Sequence, residues 1–244
     1  MKNKIICVYN NKEIFEKVVK NNNYIANCDL FTFDNSSDNI SITKRYNSFI
    51  NEYVFDTARA ANGCPTKKQG FWCVFCHQDF GIQEDIDKVL SKLNPDCLYG
   101  AVGVKIFKGI FLGKRGKDRK FGLKNELKIT FGKILQGQNN FNLKKHGHFS
   151  PFQINVDAID CCCVIMHSSL INKFRINFDE NLDFHMYAEE LCFRLKKEHN
   201  IQTKIAQMNC YHLGKGNCGN DFISSADYLK QKFNVSSIPS TCYN

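Results

Sequence analysis

An apolar run that ends abruptly in polar residues is the feature that most constrains the fold of this chain. The run extends from Phe71 to Cys76, and His77, Gln78 and Asp79 follow it directly. Six apolar, mostly aromatic or β-inclined residues are long enough for a strand that is buried on both faces. Open α/β sheets bind ligands beyond the carboxyl ends of such strands. The sequence therefore predicts a central strand with Asp79 at its end, placed to hold a cation.

The same run contains a spelling that is typical of haem attachment and of redox proteins, Cys73-x-x-Cys76-His77. Side chains alternate between the two faces of a strand, so Cys73 and Cys76 are predicted to point in opposite directions. We therefore interpret them as two core cysteines. The chain has 13 cysteines and no recognisable export signal, which predicts reduced thiols and a cytoplasmic location.

The first hundred residues alternate between strand and helix patterns in the order βαβαβα. This alternation predicts a parallel sheet with right-handed crossovers and helices on both faces. The predicted strands are Lys4–Tyr9, Cys28–Phe33 and Phe71–Cys76, and the predicted helices are 12–20, 41–55 and 83–93.

Polar residues follow all three of these strands: Asn10, then Asp34 and Asn35, then the residues from His77 to Asp79. Because the carboxyl ends of parallel strands meet at one edge of a sheet, we expect these side chains to lie together and to form a nucleotide site.

The second half of the chain has a looser pattern. It contains a short strand of small residues, a long buried strand, two helices, a strand that ends before His212, and a terminal helix. These elements are predicted at 100–104, 156–167, 168–174 with Ser168 as the N-cap, 187–198, 203–211 and 227–233. The 244 residues are interpreted as one domain, with a nucleotide-binding half at 1–104 and an acceptor-binding half at 105–244.

Positive charge is concentrated in the middle of the chain. Ten Lys/Arg and two acidic residues lie between Lys105 and Lys133, whereas the whole chain carries +9. This segment is either a solvated loop or a docking surface for an anionic partner, such as a phosphate-bearing acceptor or a membrane face. It has no known DNA-binding motif and lacks the interleaved exposed aromatic residues of a single-strand binder, so we expect no nucleic acid. No apolar stretch is long enough to span a membrane.

The order of the motifs resembles the GT-A fold, family 2 glycosyltransferases, and the His-Gln-Asp spelling is most similar to the majastridin-like subgroup. The resemblance covers nearly the whole chain, and it rests on the following residues. They are Ile6–Asn10, Phe33–Ser37, Tyr46-Asn47, His77–Asp79, Gly100–Val104, Asp157-x-x-Asp160, Phe178–Glu180, Tyr187–Glu190 with Arg194, and His212.

The resemblance implies an α/β, GT-A (Rossmann-like) single domain with a mostly parallel central sheet flanked by helices. It also implies a metal-dependent, inverting glycosyltransferase of the hexosyltransferase type. The donor would be a nucleotide diphosphate sugar, most simply a UDP-sugar, and the acceptor a hydroxyl of a glycan or a lipid-linked glycan. Mn²⁺ or Mg²⁺ would bridge the diphosphate.

Site roles follow by the same resemblance. Asp79 and His212 would contact the metal, and Gln78 and His77 stand where the family has another acid. For His212 a structural role is the alternative, and for Asp34 the alternative is a turn residue. The implied nucleotide-binding residues are Tyr9, Asn10, Asp34, Asn35, Gln78 and Asp79.

The general base implied by the resemblance lies at the start of a helix, where this chain has Glu189 and Glu190 before Arg194. Aligned on Arg194, the leading Asp of the family falls on Ala188. Adjacent helix residues diverge by about 100°, so only one of the two glutamates can face the cleft, and we favour Glu190. Both are surface charges in the alternative interpretation, and the roles of Asp157 and Asp160 are open.

Two further hypotheses stand beside the enzyme. A catalytically impaired GT-A protein would bind a nucleotide sugar without transferring it, as the single acid at Asp79 and the replacement at Ala188 suggest. A basic nucleic-acid-binding protein would rest on the segment between Lys105 and Lys133 alone. Peripheral association with the inner face of an anionic membrane is compatible with the enzyme, and the sequence makes no prediction of oligomeric state.

Overall fold

The central sheet, two smaller sheets and the surrounding helices are seen in a computed structural model that describes residues 1–55, 70–115, 120–137, 142–150, 152–214 and 219–242, with the backbone alone at 110–115 and 120–125. The strands in chain order are β1 Lys4–Tyr9, β2 Asp29–Asp34, β3 Trp72–His77, β4 Phe80–Ile82, β5 Leu98–Gly100, β6 Val102–Arg115, β7 Lys120–Gly132, β8 Ile134–Gln136, β9 Lys144–His146, β10 Ala158–Ile159, β11 Cys163–His167, β12 Thr203–Ile205 and β13 Cys210–His212. The helices are α1 Lys12–Phe15, continued by a π-helical turn Glu16–Lys20, α2 Ile42–Phe49, continued by Ile50–Phe55, α3 Ile86–Leu90, α4 Ser168–Phe174, α5 Tyr187–His199 and α6 Asn220–Phe233.

The central sheet has six strands in the order β12-β5-β11-β3-β1-β2. β1 pairs in parallel with both β2 and β3, so Cys7 lies between Thr32 and Cys76. β11 runs antiparallel to both of its neighbours, β3 and β5. The α/β class is therefore confirmed, while the sheet is mixed and the expectation of a mostly parallel sheet needs that correction.

Two smaller sheets complete the domain, and the second of them contains one parallel pair, β13 with β8. β6 and β7 pair along most of their length as a ribbon, and β10 pairs with the base of β6. β4, β13, β8 and β9 form a four-stranded sheet in that order. This second sheet carries the end of β13 to the end of β3, which is decisive for the site.

The core consists of two apolar clusters on opposite faces of the central sheet. Cys73 and Phe75 belong to the cluster under α2 and α5, whereas Val74 and Cys76 belong to the cluster under α1 and α3. All six residues of β3 are buried, as the apolar run predicts. The two cysteines of the motif face opposite clusters, which confirms their interpretation as core residues.

Most predicted elements of the first half are confirmed with small shifts of their ends. β1 has the predicted bounds, β2 begins and ends one residue later, and α3 is shorter than 83–93. Ser41 caps α2 by accepting a hydrogen bond from the Lys44 backbone N–H.

Several predictions for the second half are wrong in detail. The predicted strand 156–167 is two strands in different sheets, because the chain turns at Asp160, whose carboxylate accepts the Cys162 backbone N–H at 2.9 Å. The predicted strand 203–211 is likewise divided into β12 and β13, and α6 begins at Asn220 rather than at 227. His167, and not Ser168, is the N-cap of α4.

Within the part of the chain that the structure describes, no helix is long and apolar enough to cross a membrane. The division into a nucleotide-binding and an acceptor-binding half stays a prediction. The fold does fix one geometric point: β1, β2 and β3 are parallel neighbours, so their carboxyl ends open at the same edge.

Candidate functional site

The polar residues that follow β1, β2 and β3 meet at that edge. The Tyr9 hydroxyl donates to Asp34 Oδ2 at 3.2 Å. Gln78 Oε1 accepts the backbone N–H groups of Asn10 and Asn11 at 3.0 and 2.8 Å, and Gln78 Nε2 donates to Asn10 Oδ1 at 2.8 Å. The strand-end prediction is therefore right about placement, while the nucleotide role of these residues stays a prediction.

Asp34 and Asn35 also form hydrogen bonds with residues that follow β2 in the chain. Asp34 accepts the Ser36 backbone N–H at 2.9 Å and the Ser36 hydroxyl, and these bonds lower the pKa of Asp34. Asn35 Oδ1 accepts from Arg45 Nε at 3.0 Å. Asp34 is thus a turn residue and a member of the strand-end group at once.

We call the cleft above these strand ends the outer cavity. It has a volume of about 280 Å³ and is bordered by the ends of β1, β2 and β3 and by the segment before α5. Its lining residues are Val8, Tyr9, Asn10, Asn35, Asn39, Ile40, Ser41, Ile42, His77, Gln78, Asp79, Asp183 and Phe184. Every predicted nucleotide-binding residue except Asp34 is in this set, and Asp34 is held to it through Tyr9.

A candidate metal centre lies at the inner end of the outer cavity. His77, Asp79 and His212 offer ligand atoms that all lie within 4.8 Å of one another. Asp79 Oδ1 is 3.2 Å from His212 Nε2. The second sheet creates this proximity, because the backbone of Leu213 donates to the Asp79 carbonyl at 3.0 Å and His212 pairs with Phe80.

Asp79 and His212 stabilise each other's charged forms. Burial raises the pKa of Asp79. The hydrogen bond from His212 and the charge of His212 lower this pKa by more than burial raises it, so the net shift is downward. Burial lowers the pKa of His212, and the hydrogen bond and charge of Asp79 outweigh it and raise that pKa. The two side chains therefore form a partly buried, charge-assisted hydrogen bond when His212 is protonated.

His77 is buried and is held in one orientation by two aromatic neighbours. Its Nε2 is 2.9 Å from the Tyr187 hydroxyl, and that hydroxyl donates its own hydrogen to the Cys161 carbonyl at 2.6 Å. The hydroxyl oxygen must then accept from Nε2–H, which leaves Nδ1 of His77 with the free lone pair. The ring of Phe184 stacks on His77 at 5.1 Å. Burial lowers the pKa of His77 to about 4, so the imidazole is neutral at pH 7.

A second, smaller cavity continues from the metal centre into the protein, and we call it the inner cavity. It has a volume of about 140 Å³ and shares His77, Asp79 and Phe184 with the outer cavity. Its lining residues are His77, Asp79, Gln136, Asp160, Cys161, Phe184, His185, Met186, Glu189, His212, Gly214, Phe222 and Cys242. The metal centre thus stands at the junction of the two cavities.

Besides Asp79, the inner cavity is lined by two carboxylates whose pKa values are shifted in opposite directions. Burial and the charge of Asp160 raise the pKa of Glu189 to about 7. Burial also raises the pKa of Asp160, but the charge of His212 and hydrogen bonds, including one from the Thr241 hydroxyl, bring it below its ordinary value. Glu189 accepts hydrogen bonds from the Ser240 hydroxyl at 2.9 Å and from the Cys161 thiol at 3.4 Å. A carboxyl group with a pKa near 7 is suited to accept a proton at physiological pH.

Glu190, the residue favoured as the base from the sequence, points elsewhere. It is fully buried, and its carboxylate is bound by Arg194 Nε at 2.8 Å and by Lys232 Nζ at 2.7 Å. Lys232 also bridges to Asp179 at 2.6 Å. The structure therefore brings Glu189, and not Glu190, to the inner cavity, as expected for adjacent residues about 100° apart on α5.

Sequence reasoning did not assign three parts of this site. The sequence marks His77 only as a replacement for an acid, although its position two residues before Asp79 places both at one strand end. The sequence assigns no role to Asp160. This residue lies in the turn between β10 and β11, and the sequence pattern predicts one continuous strand there. Ser240 and Thr241 carry no local signal, since they reach Glu189 and Asp160 from 51 and 81 residues away in the chain.

The donor set of the candidate metal centre fits a divalent transition metal. It combines one carboxylate with two imidazoles, one of them neutral and oriented by Tyr187. Imidazole nitrogen suits transition metals, whereas Mg²⁺ prefers oxygen ligands alone. The metal would be held by His77, Asp79 and His212.

Comparisons with known proteins add little to this picture. No protein-family model matches the chain, and no curated protein matches it. Among solved structures the chain is similar to HddC from Yersinia pseudotuberculosis, with 11% sequence identity and a TM-score of 0.32. The match covers 93% of this chain and 79% of that one. A score this low carries no argument about the fold or the function of this chain.

Proposed function

We propose that this protein is a metal-dependent glycosyltransferase that moves a sugar from a nucleotide diphosphate sugar, most simply a UDP-sugar, to a hydroxyl of a glycan or lipid-linked acceptor. The observation that carries the proposal is the position of the metal centre. His77, Asp79 and His212 lie where the outer cavity, built from three strand ends, opens into the inner cavity that contains Glu189.

This arrangement matches the parts of a donor substrate. The outer cavity presents the Asn10 and Asn35 amides and the half-buried ring of Tyr9, which suit polar and apolar contacts with a base and a ribose. A bound divalent metal would neutralise the diphosphate as it leaves. The sugar would then extend toward the inner cavity, past Phe184, whose ring is 52% exposed and borders both cavities.

Glu189 is the general base of the proposed reaction. The acceptor hydroxyl oxygen forms a bond to the anomeric carbon, the bond from that carbon to the diphosphate oxygen breaks, and the hydroxyl proton passes to Glu189. In-line attack from the face opposite the leaving group inverts the anomeric carbon. Asp160, whose pKa lies below that of Glu189, stays ionised and keeps the pKa of Glu189 raised.

The two imidazoles of the donor set favour Mn²⁺ over Mg²⁺ as the metal. Mn²⁺ accepts both nitrogen and oxygen ligands, so we expect it to support nucleotide binding better than Mg²⁺ does.

The test is a thermal-shift screen of the purified protein with UDP, GDP, CDP and their common sugars, each with Mn²⁺, with Mg²⁺ and without metal. We expect one diphosphate to stabilise the protein with Mn²⁺ only. Asp79→Asn should weaken that metal-dependent binding by about 100-fold, because it removes the only carboxylate of the donor set. Asp96→Asn, an exposed carboxylate outside both cavities, is the matched control.

Unchanged nucleotide affinity in Asp79→Asn would overturn the metal assignment. Nucleotide binding without donor hydrolysis or transfer would favour the second candidate, a nucleotide-sugar-binding protein that has lost catalysis. A specific observation supports that candidate: Glu189 is only 2% exposed, and Ser240 and Cys161 already occupy its oxygens.

A further inference from the structure

All of the excess positive charge of the chain lies in one segment. Residues 105–152 contain 12 Lys/Arg and two acidic residues, whereas the rest of the chain contains 21 Lys/Arg and 22 acidic residues. The remainder of the protein is therefore close to neutral, and any long-range attraction to an anionic partner originates from this segment.

The same segment exposes apolar side chains. Phe107 of β6 lies directly opposite Leu127 of β7, so the two side chains share one face of the ribbon. They are 39% and 37% exposed. Lys108 and Glu126 are the next pair along and point to the other face. An exposed aromatic–aliphatic pair within a basic ribbon is the composition of a surface that meets both lipid head groups and acyl chains.

The loop after β9 lies beside the ribbon and also exposes aromatic side chains. Its backbone joins the ribbon, because His148 forms a β-bridge with Phe131 of β7. Phe149 and Phe152 in this loop are 59% and 76% exposed, and Lys144 and Lys145 of β9 are exposed beside it. We call these residues the ribbon surface: Phe107, Leu127, Lys144, Lys145, Phe149 and Phe152.

The ribbon surface lies on the side of the protein that leads to the site. Leu127 and Ile129 border a third cavity of about 760 Å³, which is also lined by His146 and His148. Asp160, Gln136, Gly214 and Cys242 line both this cavity and the inner cavity. A lipid surface in contact with Phe107 and Leu127 would thus lie at the entrance of a passage to Asp160.

We propose that the ribbon surface docks this protein on an anionic lipid membrane, with the lysines contacting head groups and Phe107, Leu127, Phe149 and Phe152 entering the interface. Single-stranded nucleic acid is the competing occupant, because the structure exposes aromatic rings in and beside the basic segment that the sequence pattern did not predict. The membrane is favoured by the aliphatic partner of Phe107 and by the passage from this face to the inner cavity.

The test is flotation of the full-length protein with vesicles of phosphatidylcholine alone and of phosphatidylcholine mixed with phosphatidylglycerol. We expect binding to the mixed vesicles only, weakening as salt is raised. Lys144→Glu with Lys145→Glu should reduce the affinity more than tenfold, and Phe107→Ser with Leu127→Ser about fivefold. The double variant Lys2→Glu with Lys44→Glu is the matched control for the lysine pair, and Ile223→Ser is the control for the apolar pair. All three residues are exposed and lie outside the ribbon surface.

Thermal melting of each variant, with the metal and nucleotide shift measured without vesicles, identifies any variant that fails to fold. This readout also separates the two proposals, since loss of vesicle binding with intact nucleotide binding concerns the ribbon surface alone. The inference would be overturned if the wild-type protein did not float with the mixed vesicles. It would also be overturned if the control variants lost as much vesicle binding as the ribbon-surface variants. Tighter binding to a single-stranded oligonucleotide that Phe107→Ser weakens would replace the membrane with nucleic acid.

Discussion

The outer and inner cavities adjoin each other and share three residues, yet their polar side chains differ in solvent exposure and in charge. In and beside the outer cavity, Gln78, Asn10, Tyr9 and Asp34 are partly or fully exposed, and they form the hydrogen-bonded pairs Gln78–Asn10 and Tyr9–Asp34. The inner cavity encloses three acidic and three histidine side chains in about 140 Å³. Solvent-accessible amides cost little to leave unpaired, whereas charges in a narrow cavity must be paired or must change protonation. In the proposed function, the outer cavity recognises the nucleotide, and the inner cavity holds the cation and accepts the proton.

The largest expected effect is on Glu189, because it tests the inner cavity as the place of proton transfer. Glu189→Gln should lower the rate of sugar transfer by about 10²- to 10⁴-fold, with nucleotide binding unchanged, because the amide cannot accept the proton. In the wild type, the rate should rise with pH through about 7, where Glu189 ionises. Transfer assays across pH, with nucleotide titrations beside them, provide the measurement.

The same substitution has a signature in stability that does not depend on catalysis. The folded-state pKa of Glu189, about 7, lies above the ordinary value of about 4.3 for an unfolded chain. Its contribution to stability is thus fully present below about pH 4 and is lost as pH rises through about 7. Relative to Glu189→Gln, the wild type should lose stability over that range, and a constant difference in melting temperature would show that Glu189 is not perturbed.

The next effect separates the neighbouring glutamates. Glu190→Gln should reduce the free energy of unfolding by about 3 kcal/mol, because it leaves Arg194 and Lys232 facing a buried neutral group. Chemical denaturation measures the loss, and Glu198→Gln, a half-exposed position on the same helix, is the control. If Glu190→Gln instead abolished transfer in a protein of unchanged stability, the base would be Glu190 and the comparison between the cavities would fail.

The smallest effect belongs to the outer cavity. Gln78→Ala removes the three hydrogen bonds that hold the loop after β1, and nucleotide affinity should fall about five- to tenfold, or roughly 1 kcal/mol. Isothermal titration with the diphosphate found in the screen measures it, against Gln202→Ala at an exposed site elsewhere. A loss as large as that of Asp79→Asn would mean that Gln78 contacts the ligand or the metal directly.

Much of the site was predictable where one strand carries it. The apolar run from Phe71 to Cys76 determined a central buried strand, and the period of two placed Cys73 and Cys76 on opposite faces. The polar residues after β1, β2 and β3 were expected at one edge because parallel strands share that edge, and the contacts of Tyr9 with Asp34 and of Gln78 with Asn10 agree.

Only the tertiary structure decided the rest. The meeting of His212 with Asp79 depends on the pairing of β13 with β4, a contact between segments about 130 residues apart for which no local pattern exists. The choice between Glu189 and Glu190 depends on the rotation of α5 against its neighbours, which amphipathic periodicity does not determine when both residues are buried. Local sequence determines which residues end a strand or share a helix face, because these follow from backbone geometry; which charges become partners is determined by packing between distant elements.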